Sequence, residues 1–362
     1  MARMHFSHLH CASGYSFKYG TALPEALVAR AAELEMPSLA LTDRAELGAL
    51  AGAIRFAQAC QKKNIRPILG ADFLIAPPLI VRARKEKSAP VIPPIKGGSE
   101  VERKYPRATL LATPAGWRNF IRLTSATEAG LLTRENLSRY GKGLILLLGP
   151  DSDVGRHIES NRADLAEQAF NEWSEYFPRD LITIEAVSHR VPGVGKWSTH
   201  HAGKLTLFGR MMKAPVIVSN NVRMLQASDA PVAEVLDAIR KLVPLSPRHI
   251  ENRTDQAYLK SSGEMFQVAK EIGESAGERN EYELLATTHE WAQRCELSPT
   301  RDIGLGGVHL PEPEVVGLSS YSEMAHHLKA RCEVRLTSRY SGEKLSVATE
   351  RLHQELQTVN TL

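Results

Sequence analysis

Paired histidines are the first residues of this chain whose spacing could support chemistry. His8 and His10 form an apparent His-x-His, and His200 and His201 stand near His189. Imidazole nitrogens are common metal ligands, so either group could begin a metal site. Adjacent side chains on a helix or strand point in different directions, so we interpret His200 and His201 as a loop or the start of a helix. The His8–His10 pair alone offers too few ligands for a catalytic metal.

Other signatures of enzymatic chemistry are weak. Asp151 and Asp153 follow Pro150 in a way that resembles paired polymerase carboxylates, but a turn is expected there, and Pro and Asp favour turns. The pair His326-His327 falls in a helix that we expect to be solvated. The sequence contains no Gly-rich phosphate loop, Ser/His/Asp triad or Cys/His dyad of recognisable spacing. Its four cysteines include no C-x-x-C pair, which argues against a zinc knuckle and a disulfide framework.

The elements that must position such residues alternate between strand and helix. The first predicted strands are Met4–Leu9, Ser38–Thr42 and Pro67–Ile75. The helices predicted between them are Pro24–Leu34 and Leu47–Lys62. The alternation resumes at Thr109 and continues to Ser219, which gives about seven strand–helix units. This rhythm predicts a parallel α/β layout.

Two stretches depart from the alternation. Residues 82–107 are rich in Lys, Arg, Pro and Gly and lack a hydrophobic period, which predicts a surface insertion. A DNA contact by its basic part, Lys85–Lys104, is the less favoured alternative to a solvated loop. After residue 260 the pattern is helical only. We therefore predict a domain at residues 1–260 and a helical extension at residues 261–362.

Composition sets the broad class. Of 362 residues, 43% are hydrophobic and 24% are charged, which is ordinary for a globular protein and excludes disorder. A net charge of +4 is too small to indicate nucleic-acid binding by itself. No apolar run is long enough for a membrane span, and the N-terminus lacks the apolar core of a signal peptide. We expect a cytoplasmic protein without a membrane partner.

An ordered series of short motifs over nearly the whole chain resembles the N-terminal PHP domain of bacterial C-family DNA polymerases, the family of the polymerase III α subunit and its error-prone relatives. The main motifs are His8–Ser16 (HLHCASGYS), Ala40–Arg44 (ALTDR), Arg66–Phe73 (RPILGADF), Val218–Val222 (VSNNV) and Gln293–Cys295 (QRC). Within the family, the segments Arg30–Ala32 and Thr42–Arg44 favour the error-prone branch. The resemblance implies a distorted (β/α)7 TIM-like barrel, the PHP fold, with metal ligands at the carboxyl ends of the strands.

The same resemblance implies that the metal site is degenerate. Four family ligand positions keep a residue able to coordinate: His10, Asp43, Asp72 and His189. Three have lost the family ligand: Ala12 and Pro150 cannot coordinate through a side chain, and Asn221 offers only a neutral oxygen. Three carry arginine, which has no free lone pair: Arg44, Arg107 and Arg223. A metal-dependent phosphoesterase needs several ligands around clustered ions, so we expect neither catalytic residues nor a cofactor, with zinc or manganese only if the vestigial site still holds an ion.

The three arginines suggest their own hypothesis. Without a divalent ion, Asp43 and Asp72 would be like charges in a partly buried cleft, which is costly. Arg44, Arg107 and Arg223 could return positive charge and pair with those carboxylates. An arginine-lined anion pocket and unrelated surface positions are the alternatives.

We therefore predict a non-catalytic PHP domain with a structural and partner-docking role in DNA replication, translesion synthesis or DNA repair. The resemblance implies that the palm, fingers and thumb of the polymerase follow residue 362, and that this polymerase core is the main partner. Other replisome or repair proteins are further candidate partners, and any DNA contact is expected to be indirect. Whether the chain alone is an enzyme stays open, although its parent family polymerises DNA. The alternative function is a metal-dependent phosphoesterase or proofreading 3′–5′ exonuclease.

Overall fold

The computed structural model describes residues 5–76, 105–246, 254–307 and 312–361. The chain forms two compact units, Met1–Leu305 and Gly306–Leu362. The basic segment Lys85–Lys104 lies outside the described residues, so its predicted structure and its DNA-contact alternative stay predictions.

Within the described residues, seven strands form one curled sheet. They are β1 (Ser38–Leu41), β2 (Arg66–Ile75), β3 (Arg107–Ala112), β4 (Leu131–Leu132), β5 (Leu144–Leu148), β6 (Ile182–Val187) and β7 (Val216–Ser219). The spatial order is β1-β2-β3-β5-β6-β7, and the short β4 pairs with β2. The α/β fold predicted from the sequence is confirmed, and its sheet follows part of a barrel wall.

The prediction of a wholly parallel sheet is wrong at β3, which runs antiparallel to both β2 and β5. Leu74 near the end of β2 pairs with Arg107 at the start of β3, so the chain leaves one strand and enters the next at the same edge. Such a connection suits an antiparallel pair, whereas a parallel pair needs a crossover. The reversal also places Arg107, predicted as the last residue of the insertion, inside the sheet beside the carboxyl ends of its parallel neighbours.

The segment from His8 to Ala12 bridges the two ends of the curled sheet. The His8 carbonyl accepts a hydrogen bond from the Ala40 amide of β1, at 2.9 Å. On the other side the His10 carbonyl accepts one from the Val222 amide, at 2.8 Å, just beyond β7. The predicted strand Met4–Leu9 is wrong in its described part, because the pairing lies further along the chain and is limited to a single bridge between Cys11 and Val222.

Ten helices in the described part of the first unit surround the sheet. They are α1 (Pro24–Glu33), α2 (Ala53–Lys63), α3 (Trp117–Ala126), α4 (Arg134–Tyr140), α5 (Asp153–Glu159), α6 (Ala163–Tyr176), α7 (Thr199–Met211), α8 (Ala230–Lys241), α9 (Ser262–Ser275) and α10 (Glu281–Cys295). Local sequence explains several starts: Pro24 opens α1, and Ser261 with Glu264 forms a capping box on α9. The second unit contains α11 (Tyr321–Arg339) and α12 (Glu343–Thr361). No helix in the described ranges is long and apolar enough to cross a membrane.

Alternate residues along the strands build two cores. Leu110, Leu146 and Val218 belong to the large cluster shared with the outer helices. Their neighbours Leu111 and Ile217 belong to a smaller cluster on the other face. That second cluster also contains three residues of α10: Trp291, Ala292 and Cys295. α10 therefore packs against this second face and belongs to the first compact unit, Met1–Leu305.

Candidate functional site

A small cavity of about 20 Å³ lies at the rim where the parallel strands end. Its wall consists of side chains within β2, β3, β5 and β6, of residues that follow β1, β5, β6 and β7, and of two residues that precede α1. The residues that line it include His10, Tyr19, Arg44, Asp72, Arg107, Thr109, Pro150, Asp151, Glu185, Trp197 and Asn221. The fold therefore brings together most positions that the resemblance assigned to the metal site.

Asp43, directly after β1, is saturated by hydroxyl and amide donors of the first loop. Its Oδ1 accepts hydrogen bonds from the Ser13 amide and the Ser16 hydroxyl, both at 2.7 Å, and its Oδ2 accepts one from the Ser13 hydroxyl at 2.8 Å. The side chain is fully buried. Burial raises the pKa of Asp43, and the donors from Ser16 and Ser13 oppose that rise. These contacts occupy the lone pairs that a metal ion would need.

Asp72 on β2 is held by Arg107. The guanidinium Nε donates to Asp72 Oδ2 at 2.7 Å, and Nη2 donates to the Asp72 carbonyl at 3.1 Å. The other edge of the guanidinium donates to both carboxylate oxygens of Glu46, at 2.7 and 3.0 Å. One cation thus links two carboxylates on separate elements, because Glu46 lies in the 3-10 turn Ala45–Leu47. This is the ion pair that the arginine hypothesis predicted for Asp72, with Glu46 as an unforeseen third member.

Burial and charge act in opposite directions within this trio. Burial raises the pKa of Asp72, and the adjacent Arg107 opposes the rise. Burial disfavours the charged form of Arg107, yet the two carboxylates outweigh it and raise the pKa of the guanidinium. Burial also acts to raise the pKa of Glu46, but the hydrogen bonds from Arg107 lower it below its usual value. The stable state is a protonated arginine between two carboxylates.

His10 forms a second buried pair with Glu185 of β6. The histidine Nδ1 lies 2.9 and 3.2 Å from the two carboxylate oxygens, and Nε2 lies 3.4 Å from the Thr109 hydroxyl. Burial would lower the pKa of His10, but the Glu185 carboxylate raises it above its usual value. Ser219 donates a further hydrogen bond to Glu185. Gly149 is required beside it, because a Cβ there would lie 2.3 Å from Glu185 Oε2.

The other two arginines both contact the ring of Tyr19. Arg44 stacks on the ring of Tyr19, with its guanidinium carbon 3.6 Å from the ring centroid. Arg223 lies 4.3 Å from the same centroid and donates to both oxygens of Asp237 on α8, at 2.9 and 3.1 Å. Arg44 also lies near Asp72, because their backbones form a bridge and the Arg44 charge acts to lower the pKa of Asp72. Arg223 pairs with Asp237 in place of the predicted Asp43 or Asp72.

His189 lies behind the cavity wall. Its ring stacks on Trp197 with centroids 4.9 Å apart, and its Nε2 donates to the Asn220 carbonyl at 2.8 Å. Burial lowers the pKa of His189 to about 4, so the ring is neutral at ordinary pH. The three positions without a ligand are also placed: Pro150 and Asn221 line the cavity, and Ala12 is buried.

The remaining histidines and carboxylates have local roles. His201 lies in the first turn of α7, as predicted, and its Nε2 is 3.0 Å from the Gly155 carbonyl. His8 points away from His10, since its Nε2 bonds the Lys260 carbonyl at 2.9 Å. Asp151 pairs with Lys196 at 2.6 Å and stabilises the turn after β5.

Sequence reasoning missed Glu185 and Glu46 as members of the site. Glu185 had a signal, because it is the one charged residue in the apolar strand Ile182–Val187 and a buried charge needs a partner. Glu46 had no such signal, since nothing in the sequence of a short turn indicates which distant arginine its carboxylate pairs with.

The donor set does not fit a cluster of metal ions. Asp43 accepts three hydrogen bonds from Ser13 and Ser16, Asp72 accepts one from the Arg107 guanidinium, and His10 faces Glu185 and Thr109. Among the residues that the structure describes, no group of three or more His, Cys, Asp or Glu side chains is arranged to hold a metal ion. We therefore derive no reaction step through a metal.

Two solved structures share a distant likeness with this chain. An amidohydrolase from Chromobacterium violaceum is 12% identical, with a TM-score of 0.36 over 60% of this chain and 87% of that one. A two-domain protein from Bacteroides vulgatus containing a predicted PHP-like metal-dependent phosphoesterase is 10% identical, with a TM-score of 0.35 over 70% of this chain and 63% of that one. At these scores neither likeness bears on function.

Curated sequences are closer. The DNA polymerase III subunit alpha of Escherichia coli O157:H7 is 29% identical over 376 aligned residues, which cover 100% of this chain and 29% of that protein. The subunit of the same name from Pseudomonas aeruginosa is 26% identical over 98% of this chain and 28% of that protein. The chain thus spans less than a third of the length of these relatives. The PHP domain family model matches residues 8–189, just over half of the 362 residues, and together with the rim geometry it confirms the resemblance: the chain belongs to the PHP domain family.

Proposed function

We propose that this chain is a non-catalytic PHP domain of a DNA polymerase III α-type polypeptide, and that it stabilises the polymerase and provides docking surfaces. The observation that carries the proposal is the trio Asp72–Arg107–Glu46, in which a guanidinium lies between carboxylates at the strand ends. Similarity to polymerase III α subunits along the whole chain supplies the polymerase context.

In this proposal, ion pairs hold the strand ends together, as a bound metal ion would. Arg107 links β2, β3 and the turn after β1 through one planar group, much as a bridging ion links ligands from several strands. His10 and Glu185 link the first loop to β6 in the same way. The rim is therefore held together by charges that belong to the chain itself.

The wider setting follows from the same proposal. The main partner is the polymerase core of the same parent polypeptide, and the process is DNA replication in the cytoplasm. The motif Thr42–Arg44 favours the error-prone branch of the family and a role in DNA repair. Other replisome or repair proteins would dock on the same domain. DNA contact, if present, would be indirect.

The test combines metal analysis with a nuclease assay. The purified chain is analysed for zinc and manganese and incubated with single-stranded DNA labelled near its 3′ end, with added Mn²⁺ or Zn²⁺. We expect substoichiometric metal and no hydrolysis that depends on the chain. The matched control is Asp72→Asn, because it removes a vestigial ligand without changing side-chain size.

The alternative is a phosphoesterase or 3′–5′ exonuclease that uses the carboxylates and histidine of the cavity. Stoichiometric metal, with hydrolysis abolished in Asp72→Asn, would establish that alternative and overturn the proposal. Hydrolysis equal in both proteins would come from a contaminant and would leave the chain itself inactive, as proposed.

A further inference from the structure

Four exposed basic side chains lie on α3, on α4 and in the turn that follows α4. They are called the α3–α4 basic surface here: Arg118, Arg122, Arg139 and Lys142. Arg118 and Arg122 are four positions apart and share one face of α3. Arg139 lies in the last turn of α4, and Lys142 lies two residues beyond its end. Because like charges four positions apart repel each other, this arrangement does not stabilise α3 itself.

Two hydrogen bonds align the helices so that the four cations gather at one end of the pair. The Asn119 Nδ2, near the start of α3, donates to the Lys142 carbonyl at 2.9 Å. The Asn136 Nδ2, near the start of α4, donates to the carbonyl of Ala126 at the end of α3, at 3.2 Å. The helices are therefore antiparallel, and the first turns of α3 lie beside the last turn of α4. This packing collects the basic side chains of both helices in one place.

Neighbouring carboxylates do not neutralise this surface. Among the residues that the structure describes, none of its four cations forms an ion pair, whereas Arg134 of α4 pairs with Glu172 at 2.9 Å. The exposed acids of the helix pair, Glu128 and Glu135, lie toward its other end. A group of cations without counterions raises the local concentration of anions, and it favours an extended polyanion that can contact several of them at once.

We propose that the α3–α4 basic surface binds the phosphate backbone of single-stranded DNA. A nucleic-acid strand carries one negative charge per nucleotide, so a run of about four nucleotides places one phosphate for each cation. Trp117 and Tyr140 stand next to two of the cations in the sequence and are partly exposed. Unpaired bases stack on rings of this kind, which favours a single strand over a duplex.

The inference rests on the proposed function in one respect, the choice of DNA as the polyanion. It also goes beyond that function, because a direct contact by this surface departs from the indirect contact expected from the sequence. The sequence contains the four cations but does not show that they gather, since their alignment depends on the antiparallel packing of α3 and α4.

The test measures binding of the 362-residue chain to a fluorescein-labelled oligothymidylate of about 12 nucleotides, within the usual site sizes of single-strand-binding surfaces. Fluorescence anisotropy is recorded with a chelator present, which prevents metal-dependent hydrolysis. Four phosphate contacts give a slope of log affinity against log salt of about −2.8, so affinity should fall roughly 50-fold between about 50 and about 200 mM salt.

Paired substitutions test whether this surface makes those contacts. Arg118→Gln with Lys142→Gln removes two of the four cations, so the same change in salt should lower affinity only about sevenfold. Affinity at the lower salt concentration should itself drop about tenfold or more. Arg122→Gln with Arg139→Gln is the second pair and should behave alike, which covers the case that one pair disturbs folding.

The matched control is Lys213→Gln with Arg279→Gln. It also removes one lysine and one arginine from exposed positions that form no ion pair within the described residues. The net charge of the chain therefore changes equally, and affinity should change less than about twofold because distant exposed charges are screened.

Several results would overturn the inference. Equal losses in the surface pairs and the control pair would reduce the effect to net charge, and a chain that does not bind the oligonucleotide at the lower salt concentration would exclude the contact. A duplex of the same length bound as tightly would contradict the single-strand assignment. A glutamate-rich peptide of equal charge that displaces the DNA at equal concentration would assign the surface to an acidic protein instead.

These results leave the proposed function standing, since that function is decided by metal content and metal-dependent hydrolysis. Stoichiometric metal with hydrolysis would overturn the proposed function, whereas binding measured in the presence of the chelator would still stand.

Discussion

Replacing Arg107 by methionine tests whether the rim depends on ion pairing. Methionine keeps much of the length and apolar stem of arginine but removes the charge and all donors. The change leaves two carboxylates facing each other, Asp72 with 9% of its side chain exposed and Glu46 with 30%. Asp72 cannot recover its hydration, whereas Glu46 can turn toward water.

The expected loss follows from that asymmetry. Removing one partner of a buried ion pair costs about 3–5 kcal/mol, because the other charge stays buried without compensation. Since only Asp72 is fully buried, we expect the lower half of that range, about 3–4 kcal/mol. For a unit of this size, at about 2.1 cal/mol/K of unfolding entropy per residue, the loss corresponds to a melting temperature lower by roughly 5–6 °C. Burial raises the folded-state pKa of Asp72, so the variant should lose less stability as pH falls, because the buried carboxyl then takes up a proton.

Urea unfolding followed by tryptophan fluorescence measures this loss in the first unit. All four tryptophans lie within it: Trp117, Trp173, Trp197 and Trp291. The control is Arg66→Met, which removes the more exposed pair with Glu296 and should cost less than about 1 kcal/mol. Asp72→Asn in the Arg107→Met background should recover part of the loss, since the uncompensated charge disappears. A loss from Arg107→Met below about 1 kcal/mol, or a melting temperature that falls on adding a chelator, would refute the reasoning.

Three further predictions concern buried groups near the rim. The folded-state pKa of His10 is raised above 6.5, so pairing with Glu185 adds stability that is complete below that pH and lost as pH rises through the folded pKa. The difference in unfolding free energy between the protein and His10→Gln should therefore shrink from about pH 6 to about pH 9, and a constant difference would contradict the assignment. Gly149→Ala should cost about 1–3 kcal/mol in urea unfolding, because its Cβ would displace Glu185. That cost should fall in a His10→Gln background, and an equal cost would show that it acts independently of the pair. Burial lowers the folded-state pKa of Lys260 to about 7. Because the Lys260 ammonium binds its proton more tightly in the unfolded chain, the free energy of unfolding rises with pH up to about 10.5. Lys260→Met should raise the melting temperature more near pH 7 than near pH 10, and the reverse order would contradict this prediction.

The sequence anticipated part of this arrangement. The Asp72–Arg107 contact could be predicted because both residues occupy matched motif positions at strand ends, where side chains of neighbouring strands converge. The α/β alternation likewise followed from periodicity. The antiparallel β3 could not be inferred, because a short apolar run has the same pattern in either direction.

The partners of the other arginines depended on an element that the sequence reading did not identify. Asp237 lies on α8, and only the path of the chain between β7 and α9 brings it to Arg223. Arg44 and Arg223 also both contact the ring of Tyr19, although the three residues are far apart in sequence. The carboxylate that pairs with an arginine could therefore be predicted from residue type and motif position when it lies on the sheet, as Asp72 does. It could not be predicted when it lies on a connecting helix, as Asp237 does.

The degenerate site is more than a metal site with ligands removed. Asp43 accepts hydrogen bonds from Ser13 and Ser16, Asp72 pairs with the Arg107 guanidinium, and His10 pairs with the carboxylate of Glu185. A cluster of ions requires its ligands to converge on shared points, whereas here each former ligand faces its own partner within the chain. Restoring any one lost ligand would leave the others committed to these contacts. Recovery of metal binding would therefore require several simultaneous changes, each costing a buried interaction before an ion could compensate for it.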